Sequence, residues 1–380
     1  MKFNITGEEF VNALSKLSSV LPTRSTLPIL DNILFELDGN TLKLLASDLE
    51  ISVRTTVEVD GERNGSVAVD GKRLLNVART LPSENLKLEA NDKNRLTIKT
   101  KKGKYTLPGE AADEFPVPEE RDDFNKVELD GSVLRRFIGK VIHAVNTDDI
   151  RRNMAGVLFD IKSDELRLVA TDGFRLGKII KKDFKHQGVP QSVFIVPTKT
   201  CQLYLRLNNN NDTTLEFDNN MLKITFEGVE IFSKLIDDTF PNYESVIPKD
   251  NDKELKIMKS DLQNSLKRAE IVADVITKRV KLEIGDKSLT IKADNVEIGS
   301  EGEETIDIEF IENDSGDEDF SKNPFVIAFN AGYLLDCVSQ IETDDIRFSF
   351  STPSKATIAR PSQQEENEDF MELVMPVRIS

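Results

Sequence analysis

Three stretches of the chain open with the same pattern of residues. They read KFNITGEEFVNALSKLSSVL from Lys2, KVELDGSVLRRFIGKVIHAV from Lys126 and KELKIMKSDLQNSLKRAEIVA from Lys253. In each, alternating apolar residues predict a short strand, and a Gly, Ser or Asp at the turn suits the capping of free helix amides. A helical spacing of apolar residues follows. The pattern predicts one strand and one amphipathic helix, repeated three times.

The repetition continues downstream of each opening. A further strand ends in a similar tripeptide in every copy, at Asp48, Asp172 and Asp294, so successive copies are offset by roughly 120 residues. A second strand-turn-helix unit and closing strands follow in each copy. The predicted helices span 8–20, 71–80, 132–145, 199–207, 260–275 and 331–341. We therefore predict an α+β fold of three repeated domains, each a β-sheet with two helices, at 1–122, 126–248 and 253–380.

Composition limits the classes of protein to consider. The chain has 380 residues and a formal net charge of −17, which argues against a protein that coats nucleic acid with its whole surface. It has two cysteines, Cys201 and Cys337, and the opening MKFNITGEEF lacks the pattern of a signal peptide. No window approaches 18 consecutive apolar residues. These features predict a cytoplasmic protein without a membrane span.

Side chains suited to catalysis or metal binding are scarce. With two histidines, His143 and His186, a His-based metal site or a Ser-His-Asp triad is disfavoured. Asp48 and Asp172 are candidate paired carboxylates, but their repeat position favours a role in a turn. For His143, in a predicted helix, we favour a hydrogen-bonded structural role. The acidic stretch 312–319 lacks the spacing of a calcium loop and is interpreted as a surface loop. No catalytic residue, metal or cofactor is predicted.

Basic residues concentrate on the predicted helices. In the helix at 132–145, Arg136 and Lys140 lie opposite the apolar stripe, and Lys72 and Arg79 do so at 71–80. Two interpretations remain open, because the basic helices either balance acidic strands or line a surface that attracts phosphates. Two helices per domain give twelve in a dimer, and a ring of twelve has a diameter of about 34 Å through the helix axes. Subtracting about 10 Å for the thickness of the helices leaves a central hole that can admit a nucleic-acid duplex.

The chain also resembles a known family along its whole length. The shared features are MKF at the start, RSTLPILDNILFEL at 24–37, SDLEISV at 47–53, ATDGFRL at 170–176, FPNYESVIP at 240–248 and VMPVRIS at 374–380. In combination these are similar to the bacterial DNA polymerase III β subunits, the sliding clamps. The resemblance implies a DNA clamp fold and a head-to-tail homodimer that forms a ring around duplex DNA. It also implies a non-catalytic processivity factor that tethers the polymerase III α subunit, the clamp loader and other replication and repair proteins.

The resemblance implies three sets of site residues. Sequence-independent DNA contacts fall on Arg24, Lys72, Arg73, Arg79, Arg136, Lys140, Lys199 and Lys267. A groove for partner peptides is expected from Met154, Thr171, Gly173, Phe174, Arg175, Leu176, Pro241, Val246, Ser354, Ala356, Val374, Met375, Pro376, Val377 and Arg378. The dimer interface is expected to hold Tyr105, Leu107, Ile271, Val272, Glu301, Glu303 and Glu304. Relatives often have His at the position of Phe174 and a basic residue at that of Ser245.

Two other classes of function compete with the DNA-encircling clamp. One is a hydrolase or transferase that uses Asp or Glu, although the chain has no Walker loop, GxGxxG, GxSxG or HExxH motif. The other is a scaffold that binds proteins alone and whose basic helices are incidental. Retention on closed circular DNA, compared with linear DNA, distinguishes the clamp from both.

Overall fold

Short antiparallel strands alternate with helices along the whole chain. The computed structural model describes residues 1–22, 27–121, 123–146, 151–186, 188–313, 320 and 322–378, without the side chains of 312 and 313. The helices in these ranges are α1 (Gly7–Leu17), α2 (Gly71–Ala78), α3 (Gly131–Val141), α4 (Thr198–Leu207), α5 (Lys259–Val272) and α6 (Ala331–Ser339). None of the described helices is long and apolar enough to cross a membrane.

The strands belong to two compact units, residues 1–135 with 199–235, and residues 136–198 with 236–380. Strands of the first unit are β1 (Lys2–Thr6), β2 (Asn32–Asp38), β3 (Thr41–Ser47), β4 (Ile51–Glu58), β5 (Asp60–Arg63), β6 (Gly65–Asp70), β7 (Asn85–Ala90), β8 (Leu96–Lys99), β9 (Lys104–Leu107), β10 (Gly109–Glu110), β11 (Asn125–Leu129), β16 (Thr213–Phe217), β17 (Met221–Phe226) and β18 (Val229–Lys234). Strands of the second unit are β12 (Gly156–Ile161), β13 (Leu166–Thr171), β14 (Arg175–Lys181), β15 (Ser192–Pro197), β19 (Lys253–Met258), β20 (Arg279–Ile284), β21 (Ser288–Asn295), β22 (Ser300–Asn313), β23 (Phe325–Asn330), β24 (Asp345–Phe350), β25 (Thr357–Pro361) and β26 (Glu368–Val374).

The order of elements repeats three times, which confirms the predicted α+β architecture of sheets with two helices per repeat. Each copy runs strand, helix, three strands, strand, helix and three strands, beginning at β1, β11 and β19; β5 and β10 are additions to the first copy. Amphipathic helices form because apolar residues recur at helical spacing, as where Phe10, Leu14 and Leu17 of α1 are buried. At the start of α1 the Thr6 side chain accepts a hydrogen bond from the Glu9 amide, and the Glu9 side chain accepts one from the Thr6 amide.

Each large sheet joins strands from two successive repeats. In the first unit the order is β10-β6-β2-β3-β4-β18-β17-β16-β11, and in the second it is β15-β12-β13-β14-β26-β25-β24-β19-β22-β21-β20-β23. The eight strands from β6 to β11 and the eight from β15 to β19 therefore have the same order. At the junction of repeats, β4 pairs with β18 and β14 pairs with β26, both antiparallel.

Five of the six predicted helices end two to four residues earlier than expected, and local hydrogen bonding explains one of these ends. The helix predicted at 132–145 is α-helical to Val141 and continues as a 3-10 turn at Ile142–Ala144. The helix predicted at 260–275 ends at Val272. There Asp274 Oδ1 accepts hydrogen bonds from the amides of Ile276 (3.2 Å) and Thr277 (2.8 Å). This turn competes with helix continuation.

Candidate interaction surfaces

A side-chain-capped turn begins the strand at one candidate site. Asp172 Oδ1 accepts from the amides of Phe174 (2.8 Å) and Arg175 (3.0 Å), and between them Gly173 has φ +90°, a conformation that favours glycine. In the first repeat Asp48 Oδ1 accepts from the amides two and three residues on, at 3.0 and 2.7 Å. The prediction that Asp48 and Asp172 hold turns is confirmed.

An apolar cluster lies beneath this turn. Leu176, Ile195, Met371 and Leu373 belong to its buried part, because β14 and β26 pair with Leu176 opposite Leu373. Partly buried side chains pack against it and form its outer layer, namely Ile236, Phe240, Tyr243, Ile247 and Met375. Four of these were not singled out from the sequence, although three of them lie in the quoted segment 240–248. Partly buried apolar side chains over a packed floor suit the anchor residues of a bound peptide.

The predicted groove residues divide into floor and rim. Met154, Thr171, Leu176, Ala356 and Val374 are buried, whereas Gly173, Phe174, Val246, Ser354 and Arg378 are exposed, and Arg175, Pro241, Met375, Pro376 and Val377 are intermediate. All of them belong to the second compact unit. The tail is fixed there by backbone bonds from Met375 N to the carbonyl oxygen of Phe174 (2.8 Å) and from Val377 N to that of Ala328 (2.8 Å).

Helix α6 supplies rim residues that sequence reasoning missed. The ring of Phe174 stacks on that of Tyr333, with 6.0 Å between centroids and 22° between planes. The guanidinium of Arg175 lies 4.7 Å from the centroid of the same ring. Arg175 Nε also contacts Asp172 Oδ2 at 3.1 Å, and its Nη1 donates to Asp336. No local pattern marks Tyr333 or Asp336, because the groups they contact lie about 160 residues away in the chain.

The corresponding position in the first unit is charged. Lys234 N donates to the carbonyl oxygen of Glu50 at 2.9 Å, the counterpart of the bond from Met375 to Phe174. Their side chains form an exposed ion pair at 3.1 Å. A cleft of about 260 Å³ lies beside them, and Val117 and Phe232 contribute to its lining. An ion pair therefore occupies the place that Phe174 and Met375 hold in the second unit.

The predicted DNA contacts differ in exposure. Lys72, Arg73, Arg79, Lys199 and Lys267 are exposed. Three of them have partners, since Lys72 Nζ donates to the Pro22 carbonyl oxygen (2.7 Å), Arg73 Nε lies 3.5 Å from Asp70 Oδ2, and Lys199 pairs with Asp48. Arg24 lies outside the described residues. An exposed helix cation that was not predicted is Arg206, which donates to the Ser19 hydroxyl.

The expectation that Arg136 and Lys140 both project outward is wrong for Lys140. Its side chain is buried, with Nζ 2.6 Å from the Gln340 carbonyl oxygen and 3.2 Å from a Glu342 oxygen. Burial lowers the pKa of Lys140, and Glu342 opposes this change. Arg136 is half-buried and contacts Glu368 Oε1 at 2.5 Å. The helical pattern placed both residues opposite the apolar face of their helix. For Lys140 that side is covered by Gln340 and Glu342 of the same unit.

The predicted dimer residues lie on or beside β9 in the first unit and on α5 and β22 in the second. In the first, Tyr105 of β9 is exposed and Leu107 is intermediate. In the second, α5 ends against β22, because Ser300 Oγ donates to the Val272 carbonyl oxygen (2.9 Å) and a Cβ on Gly302 would lie 2.9 Å from Val272 Cγ2. Val272 and Ser265 therefore lie against the face of β22 that carries Gly302 and Glu304, and Glu301 and Glu303 alternate to the other face of the same strand. Exposed apolar residues that sequence reasoning missed follow α5 or lie between β21 and β22: Val275, Ile276, Val296 and Ile298.

Two of these acidic residues have partners within the same chain. Arg268 and Ser265 both donate to Glu304, and these hydrogen bonds lower the pKa of Glu304 to about 2. Glu303 lies 3.5 Å from Lys292 Nζ, whereas Glu301 is exposed. The described part of this surface is therefore both acidic and apolar.

Three repeats of β-strands, each repeat with two helices and with sheets that join successive repeats, define the class of DNA clamp proteins. Family models described as the N-terminal, central and C-terminal domains of the DNA polymerase III beta subunit match residues 1–119, 128–242 and 244–378. The chain belongs to the DNA polymerase III beta subunit family. Its role is that of a DNA sliding clamp, a non-catalytic processivity factor of replication, and the hydrolase hypothesis is rejected on this ground.

Individual relatives match over the full length of the chain. The beta sliding clamp of Vibrio cholerae is 28% identical over 385 residues, with 100% of both chains covered. The crystal structure of the DNA polymerase III beta subunit from Pseudomonas aeruginosa has a TM-score of 0.91 at 27% identity, again with 100% of both chains covered. A Pseudomonas aeruginosa sliding clamp bound to griselimycin has a TM-score of 0.90 at 26% identity and the same coverage.

Proposed function

We propose that two copies of the chain associate head to tail into a closed ring that encircles duplex DNA in the cytoplasm. The ring tethers the polymerase III α subunit, the clamp loader and repair proteins through a peptide groove. We propose domain boundaries at 1–122, 126–248 and 253–380. The observation that carries the ring is the strand pairing at the junctions of repeats, which leaves one junction per chain to be completed by a second copy.

The edges of the sheets support this closure. Successive repeats join where β4 pairs with β18 and where β14 pairs with β26. By position in the repeat, β22 is equivalent to β4 and β14, and β9 to β18 and β26. Among the described strands, β9 pairs with β8 alone, and residues 300–307 of β22 pair on one side with β21. Pairing β9 of each copy with β22 of the other completes both junctions and covers these two strand edges.

Side-chain chemistry at these edges also supports the contact. Ile271, Val275 and Ile276 present apolar surface near β22, and exposed apolar patches mark association sites. On the β9 side, Tyr105 and Leu107 provide apolar partners. Lys101, Lys102 and Lys104 are exposed beside them, opposite in charge to Glu301 and Glu303. Complementary charge favours the head-to-tail orientation over head-to-head.

The proposed partner site is the groove over the apolar cluster that includes Leu176 and Leu373. An extended peptide with apolar anchors fits the partly buried side chains of Phe240, Tyr243 and Met375. Phe174, where relatives often have His, adds an apolar ring at the rim. We propose one such groove per subunit, because the equivalent position in the first unit carries the Glu50 and Lys234 ion pair.

Removing residues 376–380 tests the placement of the groove. The truncation deletes the backbone bond from Val377 to Ala328 and the tail that follows Met375, so a polymerase-derived clamp-binding peptide should lose its affinity in fluorescence anisotropy. The dimer should persist, because the proposed β9 and β22 contact does not include the tail. Undiminished peptide affinity in the dimeric truncation would remove the tail from the site.

DNA contact is proposed to use phosphate-directed cations without reading bases. Lys72, Arg73, Arg79, Lys199 and Lys267 are the exposed members of the set, with Arg24 and Arg136 proposed beside them, whereas the buried Lys140 is left out. Phosphate contacts position a duplex but carry no sequence information. Binding should therefore weaken as salt rises, whereas topological retention should not.

Retention on circular DNA tests the ring. Protein loaded onto a closed plasmid by a clamp loader should co-elute with it in high salt and should be released when a restriction enzyme linearises the DNA. Replacing Arg24, Lys72 and Arg79 together by Ala should reduce loading or processivity while the dimer persists. Equal release from circular and linear DNA would favour a scaffold that binds proteins alone.

A further inference from the structure

Three side chains from distant parts of the sequence meet inside the second unit. His143 follows α3 in the 3-10 turn at Ile142–Ala144, Cys337 lies in α6, and Glu372 lies in β26. Cys337 and Glu372 are fully buried, and the side chain of His143 is 11% exposed. His143 Nε2 lies 3.2 Å from Glu372 Oε2 and 3.8 Å from Cys337 Sγ. All three donor atoms lie within 4.8 Å of one another.

Some of these polar atoms have no hydrogen-bond partner in the described part of the protein around them. Among the described residues, Oε1 of Glu372 and Nδ1 of His143 are buried without a hydrogen-bond partner, and Oε2 of Glu372 has the 3.2 Å contact with His143. His143 has the predicted hydrogen-bonded role through Nε2, whereas its Nδ1 has no partner among the described residues. A buried ionised carboxylate is costly unless a cation compensates its charge or a proton neutralises it. Gly177 faces this carboxylate, and a Cβ there would lie 3.2 Å from Glu372 Oε1.

The spacing of the donor atoms matches that of ligands around one tetrahedral zinc ion. With Zn–S near 2.3 Å and Zn–N or Zn–O near 2.0–2.2 Å, tetrahedral angles place neighbouring donor atoms about 3.3–3.6 Å apart. The observed 3.2 and 3.8 Å bracket this range. Thiolate, imidazole and carboxylate are all zinc ligands, and one thiolate with one carboxylate neutralises a divalent cation in a buried site.

We propose that His143, Cys337 and Glu372 form a binding site for one Zn²⁺ per chain, with a fourth position left for a non-protein ligand. The ion links the end of α3, helix α6 and strand β26. Glu372 precedes Val374 and Met375 by two and three residues, so the site also fixes the strand that leads into the partner groove. The alternative is an ion pair between His143 and Glu372 with a neutral thiol and no metal.

Metal titration of the full-length chain tests the site. Protein freed of metal with a chelator is titrated with Zn²⁺ by calorimetry, and in parallel with Co²⁺ by absorption spectroscopy. The expected result is one equivalent per chain, with a thiolate-to-cobalt charge-transfer band and the intense visible bands of tetrahedral Co²⁺. Zn²⁺ should also raise the melting temperature, because a ligand bound by the native state stabilises it.

Two variants and a matched control decide the ligands. Cys337→Ser should abolish the charge-transfer band, and the near-isosteric Glu372→Gln should weaken Zn²⁺ binding by at least tenfold, whereas Cys201→Ser should bind as the wild type does. Cys201 is the other cysteine and is equally buried. Circular dichroism and dimer mass establish that each variant folds. If Cys337→Ser does not fold, Glu372→Gln tests the site in its place. Absence of stoichiometric binding by the folded wild type, or an unchanged charge-transfer band in folded Cys337→Ser, overturns the proposal.

Discussion

Truncating one exposed isoleucine should dissociate the ring without weakening the subunit fold. Ile271 on α5 is 81% exposed in the single chain, so its side chain contributes little to the stability of the monomer. In the proposed dimer the same side chain is buried against β9 of the second copy. Because a head-to-tail ring contains two identical contacts, Ile271→Ala removes apolar contact twice per dimer.

The size of the effect follows from the atoms removed. Ile→Ala deletes three carbon atoms, and about 0.8 kcal/mol per buried CH₂ gives about 2.4 kcal/mol per contact. Two contacts give about 5 kcal/mol per dimer. At about 1.4 kcal/mol for each factor of ten, the dimer dissociation constant should rise by roughly 10³ to 10⁴. The double variant with Leu107→Ala should dissociate still more readily.

Sedimentation equilibrium over a range of protein concentrations measures the dissociation constant, and calorimetry measures the melting temperature of the monomer. Val193→Ala is the matched control, because Val193 is 59% exposed on β15, outside the proposed interface. The control should remain dimeric, and both variants should keep the secondary structure of the wild type. A dimer dissociation constant in Ile271→Ala within a factor of three of the control would refute the placement of α5 in the interface.

Two further outcomes are expected. Asp172→Ala removes the acceptor for two amides and a partner of Arg175, so it should reduce peptide affinity about tenfold, which corresponds to about 1.4 kcal/mol. Asp48→Ala opens the equivalent turn of the first repeat, away from the groove, and should leave peptide affinity unchanged in the same anisotropy assay. Glu304 should titrate near pH 2 in the folded protein, so its contribution to stability is present above its unfolded pKa and is lost as the pH falls towards 2. Arg268→Ala should raise the pKa of Glu304 towards the ordinary value, as measured by carboxyl NMR. An unchanged pKa of Glu304 in this variant would contradict the assigned cause.

Local sequence patterns determined the elements and their repetition. Alternation of apolar residues identified the strands, and the helical spacing identified all six described helices, because both depend on neighbours within a few positions. The turns at Asp48 and Asp172 were also predictable, since the side chain bonds to amides two and three residues along. Helix ends at Val141 and Val272 were less accurate, because a turn such as that at Asp274 competes with the helix locally.

Contacts between distant segments were decided by the tertiary structure. From its helical position Lys140 was expected to face outward, yet Gln340 and Glu342, about 200 residues further along, cover it. Tyr333 meets Phe174 across a similar separation. His143, Cys337 and Glu372 also come together from distant parts of the sequence. The spacing of apolar residues indicates which side of a helix faces its own sheet. What packs on the opposite side depends on how the sheets of successive repeats join, and no local pattern in the sequence encodes this joining.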